Sequence, residues 1–398
     1  MLQKLLFFIV VSSVISCGSS STKKANKEVE VDNSEDHYSL VFIGTYTKKE
    51  SFVDGKAAGV YVYAFDPGTG GLKYLATSDS TVNPSYIAIH PTGNYVFAVN
   101  ETNSTQGQPY GAITSFRYDP VDHSLKIINQ VSSGGDYPCN VNLDPTGRFL
   151  LDANYGSGTV SLIKINDEGK LSEPKSIVQH TGEGPTARQE SPHAHMIRVS
   201  VRNGLVYSVD LGTDAINVYR LDTLNASLRD TGIEIKTSPG AGPRQLVFHQ
   251  THPWAYIVNE LNGTIESFQV NNSTGMLTRF QKISTVEKGD PAQSACADIQ
   301  IHPSGKFLYA SNRGEVNSIA VFTINQETGR LSLTGSQSSK GRTPRSFVID
   351  PSGRFLLVAN QDTDNVVTFK IDPVTGMLTD PDIQTKVHTP VCLKFYPG

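Results

Sequence analysis

Short runs of apolar residues alternate with polar ones along most of the chain, and Gly or Pro separates one run from the next. Alternation over a few residues between such turns is typical of β-strands and not of helices. One unit repeats: an apolar strand, a turn of His or Asp followed by Pro, Thr or Ser, and Gly, then a second apolar strand that closes on a polar residue. The closing residues are Asn100, Asn154, Asp210, Asn259, Asn312 and Asn360, which are 48 to 56 residues apart.

A second hairpin accompanies each unit and consists of an apolar-rich strand, a turn and a strand that begins at Leu. Its seven copies begin their last strand at Leu72, Leu125, Leu171, Leu228, Leu277, Leu331 and Leu378. Four strands per about 50 residues is the period of a propeller blade. The repeats therefore predict an all-β fold over residues 39–398, a seven-bladed β-propeller, in preference to a sandwich or a β-helix.

The two ends of this region supply the missing inner hairpin, because only six complete copies of it lie between them. Residues 389–395 resemble the first strand of a unit, and residues 40–45 resemble a second strand, with Thr45 in the place of the closing Asn. The seventh blade is therefore predicted to form by pairing of the N- and C-terminal strands. Such closure leaves no long open sheet edge.

The first residues are predicted to be a targeting segment. Lys4 precedes the apolar run 5–11, and small residues follow up to Cys17. This pattern indicates a signal peptide over residues 1–16, and it is too short for a comfortable transmembrane span. Residues 14–17 resemble a bacterial lipobox, which would make Cys17 the lipidated residue and residues 17–38 a polar, flexible tether. We expect an exported, membrane-anchored lipoprotein facing the periplasm; a soluble periplasmic or secreted protein is the alternative.

Composition and charge narrow the possible partners. The net charge is −4 and no basic stripe is present, which argues against nucleic acid as a partner. We expect a monomer whose contact with the membrane is limited to the N-terminal anchor. The other three cysteines, Cys139, Cys296 and Cys392, match no zinc pattern and are expected in the core.

The repeat register predicts where chemistry could occur. First strands line the central channel of a propeller, and the start of each first strand lies at the same rim as the end of the second. The residues at these positions are unusual for propeller turns: His193, His195, Arg244 and Arg345 at first-strand starts, and Glu101, Tyr155, Glu260, Arg313 and Gln361 after second-strand ends. Histidine, arginine and glutamate side chains at one mouth of the channel can hold an anionic substrate and move protons.

Simpler interpretations of these residues remain open. His193 and His195 share one face of a strand, as a metal pair would, but no third ligand is at a predictable offset, so we expect neither a metal nor another cofactor. Glu101 and Glu260 are equally compatible with salt bridges between blades. The chain contains no Gly-x-Ser-x-Gly motif and no Walker-type loop.

Several motifs in order and in register resemble the lactonase propeller family, which includes propeller-type 6-phosphogluconolactonases and fungal carboxymuconate lactonizing enzymes. The resemblance runs from about Leu40 to the C-terminus and is carried by Arg188-Gln189-Glu190-Ser191-Pro192-His193-Ala194-His195, Gly242-Pro243-Arg244, Val258-Asn259-Glu260-Leu261 and Ser311-Asn312-Arg313-Gly314. It implies chemistry on lactone rings at the channel mouth. It also implies functional roles for a His, two Arg and a Glu, which fall on His195, Arg244, Glu260 and Arg313, with His193 and Arg188 in the same matching stretch.

The expected activity is that of a carboxylic-ester hydrolase acting on a small-molecule lactone. A neutral His195 would deprotonate water, and arginines would stabilise the developing oxyanion. Glu260 would either orient these groups or protonate the leaving alkoxide, while Arg188, His193, Glu101 and Arg345 would contact the substrate. A non-catalytic propeller that binds a glycan, a peptide or a partner protein is the alternative, because propellers have many functions.

Overall fold

The computed structural model describes residues 38–104, 111–287 and 291–397. The predicted signal peptide, Cys17 and all of the predicted tether except Tyr38 lie outside the described residues. The described residues form seven four-stranded antiparallel sheets arranged in a ring, which confirms the predicted seven-bladed β-propeller. Within these ranges, no helix is long and apolar enough to cross a membrane.

Each blade runs from an innermost strand at the channel to an outermost strand at the periphery. From inside to outside, blades 1 to 3 consist of Pro390–Phe395, Ser39–Thr45, Tyr61–Phe65 and Leu72–Thr77; Ile87–Ile89, Tyr95–Asn100, Ala112–Tyr118 and Leu125–Ser132; and Pro138–Leu143, Phe149–Asn154, Thr159–Lys164 and Ser176–Gln179. Blades 4 and 5 consist of Ala194–Val199, Leu205–Asp210, Ala215–Asp222 and Ser227–Lys236; and Pro243–Phe248, Trp254–Asn259, Thr264–Val270 and Leu277–Ser284.

Blades 6 and 7 complete the ring. They consist of Cys296–Ile301, Phe307–Asn312, Ser318–Ile324 and Leu331–Ser338; and Pro344–Ile349, Phe355–Asn360, Asn365–Ile371 and Leu378–Lys386. Small elements of the described residues lie between the blades or after their second strands, among them a hairpin of Lys49–Glu50 and Val53–Asp54 and single 3₁₀ turns at Pro291–Ser294 and Gln361–Thr363.

The position of a strand within a blade explains its hydrophobic pattern. Every residue of the second strands Tyr95–Asn100 and Phe307–Asn312 is buried, because a neighbouring blade covers each face of the sheet there. The outermost strand Leu331–Ser338 alternates between buried or half-buried and exposed residues, since its position at the periphery leaves one face open to water. These second strands therefore have nearly continuous apolar runs, whereas the outermost strand keeps a period of two.

Blade 1 closes the ring as the sequence predicts. Its innermost strand, Pro390–Phe395, pairs antiparallel with Ser39–Thr45, and Ile43 lies opposite Leu393. The Tyr396 backbone N–H donates to the Leu40 carbonyl at 2.9 Å. Val391, Cys392 and Leu393 are buried, so the C-terminal strand is part of the core.

The His-Pro-Thr/Ser-Gly turns lie at the opposite end of the innermost hairpins and link adjacent blades. The Gly adopts a positive φ, 71° at Gly305 and 74° at Gly353, which Gly reaches without steric cost. His302 Nε2 donates to the Gly353 carbonyl of the next blade at 2.8 Å, and His249 Nε2 donates to the Gly305 carbonyl at 3.0 Å. The ring of His90 packs against Gly147 in the same way. These histidines are structural.

Candidate active site

A β-bulge near the start of most innermost strands leaves one residue unpaired and turns its side chain. The pairing with the second strand skips a residue between Pro138 and Asn140, and it does so again between Ala194 and Met196, Pro243 and Gln245, and Pro344 and Ser346. A bulge re-aims the residue that it leaves unpaired. With one position per blade, these residues are Ser85 by sequence register, Cys139, His195, Arg244, Ala297, Arg345 and Val391, which we call the bulge ring.

A second set of positions, the strand-end ring, consists of the residues that directly follow the second strands. Its members are Tyr46, Glu101, Tyr155, Leu211, Glu260, Arg313 and Gln361. The backbone turns sharply here, and several turns return to the preceding innermost strand; for example, the Glu260 N–H donates to the Gly242 carbonyl at 2.7 Å. Each blade thereby contributes one residue from each ring to the same mouth of the channel.

Four members of the bulge ring and five members of the strand-end ring line one cavity of about 620 Å³. Its lining contains Ser51, Phe52, Glu101, Tyr137, Cys139, Tyr155, Arg188, His195, Arg244, Glu260, Arg313, Thr343, Arg345, Gln361 and Asp362. The structure thus brings together seven of the eight side chains proposed from the sequence to act in catalysis or binding. His193 is the exception, because it lies behind Tyr155 and does not line the cavity.

Glu260 is the charged centre of the site. Its Oε2 atom lies 2.8 Å from Arg313 Nη2 and 2.9 Å from Arg244 Nε, although the latter contact lacks hydrogen-bond alignment. Its Oε1 atom accepts a hydrogen bond from Arg188 Nη2 at 3.2 Å. Burial alone would raise the pKa of Glu260, but the charges of Arg313 and Arg244 outweigh it and hold the pKa well below its usual range. The carboxylate is therefore ionised.

Arg244 is held rigidly in the wall. Its Nη1 donates to the Ala297 carbonyl of the next blade, and its side chain is only 4% exposed. Burial and the charge of Arg313 lower its pKa to about 10, so the guanidinium stays protonated at neutral pH. A buried, fixed cation of this kind stabilises negative charge more strongly than the same group in water.

His195 lies beside Arg244 in the bulge ring and is almost completely buried. Burial lowers the pKa of His195 well below its usual value, and the charge of Arg244 lowers it further, so the imidazole is neutral at pH 7. The Tyr155 ring meets it edge-on, with ring centroids 5.6 Å apart. Cys139 Sγ lies 3.8 Å from His195 Nδ1, and burial raises the pKa of this thiol, so Cys139 is protonated and not an activated nucleophile.

His193 supports the wall from outside the cavity. Its ring stacks on Tyr155 with a centroid distance of 4.5 Å, and its Nδ1 donates to the Tyr155 carbonyl at 2.9 Å. Arg188 Nη2 donates to the Tyr155 hydroxyl at 3.0 Å. His193 and Arg188 therefore fix Tyr155 from two sides, and direct substrate contact by His193 remains a prediction that its position does not favour.

Glu101 and Arg345 form a second charged group on the opposite wall. Glu101 Oε2 accepts hydrogen bonds from the Tyr46 hydroxyl at 2.7 Å and from Ser85 Oγ at 2.5 Å. Arg345 Nη2 lies 3.6 Å from Glu101 Oε1, and its guanidinium is 5.5 Å from the centroid of the Tyr46 ring. These contacts leave Arg345 less tightly paired than Arg244 or Arg313.

The sequence alone did not single out several residues of the site. Tyr46 and Ser85 hold Glu101, and Cys139 contacts His195. Cys139 could have been found, because Pro138-Cys139 occupies the same place in its blade as Pro243-Arg244 and Pro344-Arg345. Phe52 could not, because it comes from the hairpin after blade 1's second strand, which has no counterpart in the repeat. In the parts of the chain that are described, no group of His, Cys, Asp or Glu side chains could hold a metal ion.

Comparison with known proteins agrees with this architecture. Residues 40–395 match the family described as lactonase, seven-bladed β-propeller. The chain is 36% identical to a 6-phosphogluconolactonase of Formosa agariphila, over 85% of this chain and 94% of the relative, and 33% identical to a 6-phosphogluconolactonase of Bacillus subtilis, over 89% and 97%. The solved structure of a periplasmic gluconolactonase of Pseudomonas aeruginosa superposes with a TM-score of 0.83 and 31% identity, covering 90% of this chain and 99% of that one. The chain therefore belongs to the lactonase family of seven-bladed β-propellers.

Proposed function

We propose that the protein hydrolyses a sugar or acid lactone in the cavity lined by members of both rings, with His195 as the general base. The observation that carries this proposal is the position of a buried, neutral imidazole beside the fixed cation Arg244 in a cavity large enough for a sugar lactone. The names of the relatives support the same reaction class, since they are 6-phosphogluconolactonases and a gluconolactonase.

The proposed reaction needs no covalent intermediate. His195 accepts one proton from a water molecule while the water oxygen bonds to the lactone carbonyl carbon. Arg244 and Arg345, which both line the cavity, stabilise the resulting oxyanion. The ring C–O bond then breaks, and the imidazolium returns the proton to the leaving alkoxide. One water is consumed, one ester bond is lost, and the product is an open-chain hydroxy acid.

Glu260 fits the orienting role better than that of proton donor. Its lowered pKa and its contacts with three arginines keep the carboxylate ionised, so it has no proton to give at neutral pH. The same contacts fix Arg244 and Arg313 in position. Because these cations are already in position, no free energy is spent on moving them as negative charge develops on the substrate.

The charge balance of the cavity favours a substrate that is, or becomes, anionic. Four arginines line it against three carboxylates, Glu101, Glu260 and Asp362. Arg188 is the most accessible of the arginines that bind Glu260, with 57% of its side chain exposed. Its planar fork can hold a carboxylate or phosphate in a bidentate manner.

We further propose that the propeller works outside the cytosol, anchored through Cys17. The support is the signal-like run before Cys17 together with the periplasmic description of the Pseudomonas aeruginosa relative. Phosphorylated gluconolactone is a cytosolic compound, so this location favours a lactone without a phosphate.

The test is a hydrolysis assay of the purified protein on a panel of sugar and acid lactones, phosphorylated and unphosphorylated. Rates are measured in a pH-stat and corrected for spontaneous ring opening in the same buffer. We expect catalysed opening of at least one sugar lactone and its loss in His195→Ala. If no lactone on the panel opens faster than in buffer alone, the proposal is wrong and a binding function takes its place.

A further inference from the structure

A second, much smaller cavity adjoins the large one inside the channel. Its volume is about 20 Å³, just above the 10–15 Å³ or so that a single water molecule requires. Four members of the bulge ring, Cys139, His195, Arg244 and Arg345, line both cavities. The bulge ring is therefore the boundary between a space that fits a sugar lactone and a space that fits one water.

The walls of the small cavity have the polar groups that a buried water needs, which are usually two to four partners. Tyr86, Gln245 and Ser346 line it, and their side chains end in a hydroxyl, an amide and a hydroxyl. Asp298 also lines the space, and its carboxylate accepts hydrogen bonds from the Ile299 N–H at 2.8 Å, from Ser346 Oγ at 3.0 Å and from the Phe347 N–H at 3.2 Å. The Ser346 hydroxyl therefore offers a water its oxygen as an acceptor. Val391 adds an apolar side chain to the lining.

We propose that this small cavity binds the water molecule that attacks the lactone, so that nucleophile and substrate reach His195 from opposite sides of the bulge ring. This inference rests on the proposed hydrolysis and adds the origin of the water. A lactone bound in the large cavity displaces water from that cavity. A water molecule in the small cavity, on the other side of the bulge ring, stays in place. This water would lie next to His195, the proposed base, and next to Arg244 and Arg345, where the oxyanion forms.

The size of the cavity makes the inference testable with a competing nucleophile. Methanol is chemically able to open a lactone, giving the methyl ester of the hydroxy acid, but its extra carbon atom does not fit a space for one water. We therefore expect the wild type to hydrolyse the lactone in dilute methanol without forming methyl ester above the uncatalysed level.

Variants at Val391 change the size of the cavity without touching the proposed catalytic groups. Val391→Ala enlarges it, and methyl ester should then appear in proportion to the methanol concentration. Val391→Leu fills it, and kcat should fall by a factor of ten or more while KM stays within about twofold, because the large cavity is unchanged. Val358→Ala, which removes the same atoms from the core of blade 7, is the matched control. It should give the same ratio of methyl ester to hydroxy acid as the wild type. Gln245→Ala offers a second way to enlarge the cavity if Val391→Ala folds poorly.

The products, aldonic acid and methyl ester, are quantified by mass spectrometry after correction for the reaction without enzyme. Methyl ester formed by the wild type in the ratio of the bulk nucleophiles would overturn the inference, because the water would then come from the open cavity. The same holds if both enlarged variants hydrolyse the lactone yet form no methyl ester. Absence of any catalysed lactone opening in the wild type is a different outcome and would remove the proposed function itself.

Discussion

Replacing Glu260 by Gln should destabilise the protein strongly, and the size of the effect follows from the contacts of its carboxylate. Glu260→Gln leaves two buried cations, Arg244 and Arg313, without their counter-ion, and their side chains are only 4% and 13% exposed. Removing one partner of a buried ion pair costs about 3–5 kcal/mol. The contact with Arg188 adds little to this cost, because that side chain is 57% exposed and solvent screens its charge.

The pH dependence of this cost tests the electrostatic explanation. The pKa of Glu260 is lowered in the folded protein, so the carboxylate contributes stability above the pKa of the unfolded chain, about 4.3. That contribution is lost as the pH falls from there through the lowered folded pKa. The difference between wild type and Glu260→Gln should therefore be largest at pH 7 and shrink below about pH 4.

Urea unfolding followed by tryptophan fluorescence at pH 7 and at pH 3.5 or so gives both free energies of unfolding. The matched control is Glu234→Gln, which removes an exposed carboxylate paired with Lys236 and should cost no more than about 1 kcal/mol. A cost below about 1 kcal/mol for Glu260→Gln at pH 7, or the same cost at both pH values, would refute the reasoning.

Four further predictions concern catalysis, closure and location. His195→Ala should lower kcat about 10²–10⁴-fold, and the wild-type rate should fall on the acid side only below about pH 6.5, because burial lowers the pKa of His195 and only the neutral imidazole accepts a proton. Arg244→Ala should lower kcat about 10²–10³-fold, and Lys at this position should restore only part, since it lacks the planar fork. Deleting residues 390–398 should prevent folding or cost on the order of the 5–15 kcal/mol that stabilise a whole domain, measured by thermal and urea unfolding. Cys17→Ser should move the protein out of the membrane fraction or leave it unprocessed.

Each of these predictions has an outcome that contradicts it. His90→Ala, at the opposite rim, is the control and should keep near-normal turnover. If His195→Ala and Arg244→Ala turn over the lactone as fast as the wild type, the chemistry occurs elsewhere. A truncated chain that melts like the full one would contradict the pairing of Pro390–Phe395 with Ser39–Thr45. Normal processing together with unchanged membrane fractionation of Cys17→Ser would rule out the lipid anchor.

The sequence predicts the fold well because each blade repeats the same local solution. The six polar closing residues from Asn100 to Asn360 are the last residues of the second strands in the structure, and Thr45 takes the same place in blade 1. The register of the repeat was sufficient to predict that His195, Arg244, Glu260 and Arg313 lie at one mouth of the channel, where all four line the same cavity. Their catalytic roles stay predictions.

Features that depend on side-chain packing could not be read from the repeat. His193 and His195 are two residues apart, which predicts that they share one face of a strand. The His193 ring nevertheless stacks on Tyr155 and does not line the cavity. The β-bulge that leaves His195 unpaired sends its side chain in a different direction from that of His193. This bulge depends on how the strand pairs with its neighbour, and the pattern of apolar positions along the chain does not reveal that pairing. The bonds of Tyr46 and Ser85 to Glu101 likewise join residues from different strands, and only the closed ring brings them together.

The closure of blade 1 has a consequence for chain connectivity. The Tyr396 N–H and the Leu40 carbonyl are hydrogen-bonded, so the two ends of the propeller domain lie close enough to be joined by a short linker. New ends can then be opened at an exposed turn such as that around Leu224, where circular permutation is usually tolerated. Such a permutant keeps every strand and both rings of the site, whereas the truncated chain lacks one strand. The innermost strand of blade 1 must be present, but it need not come last in the chain.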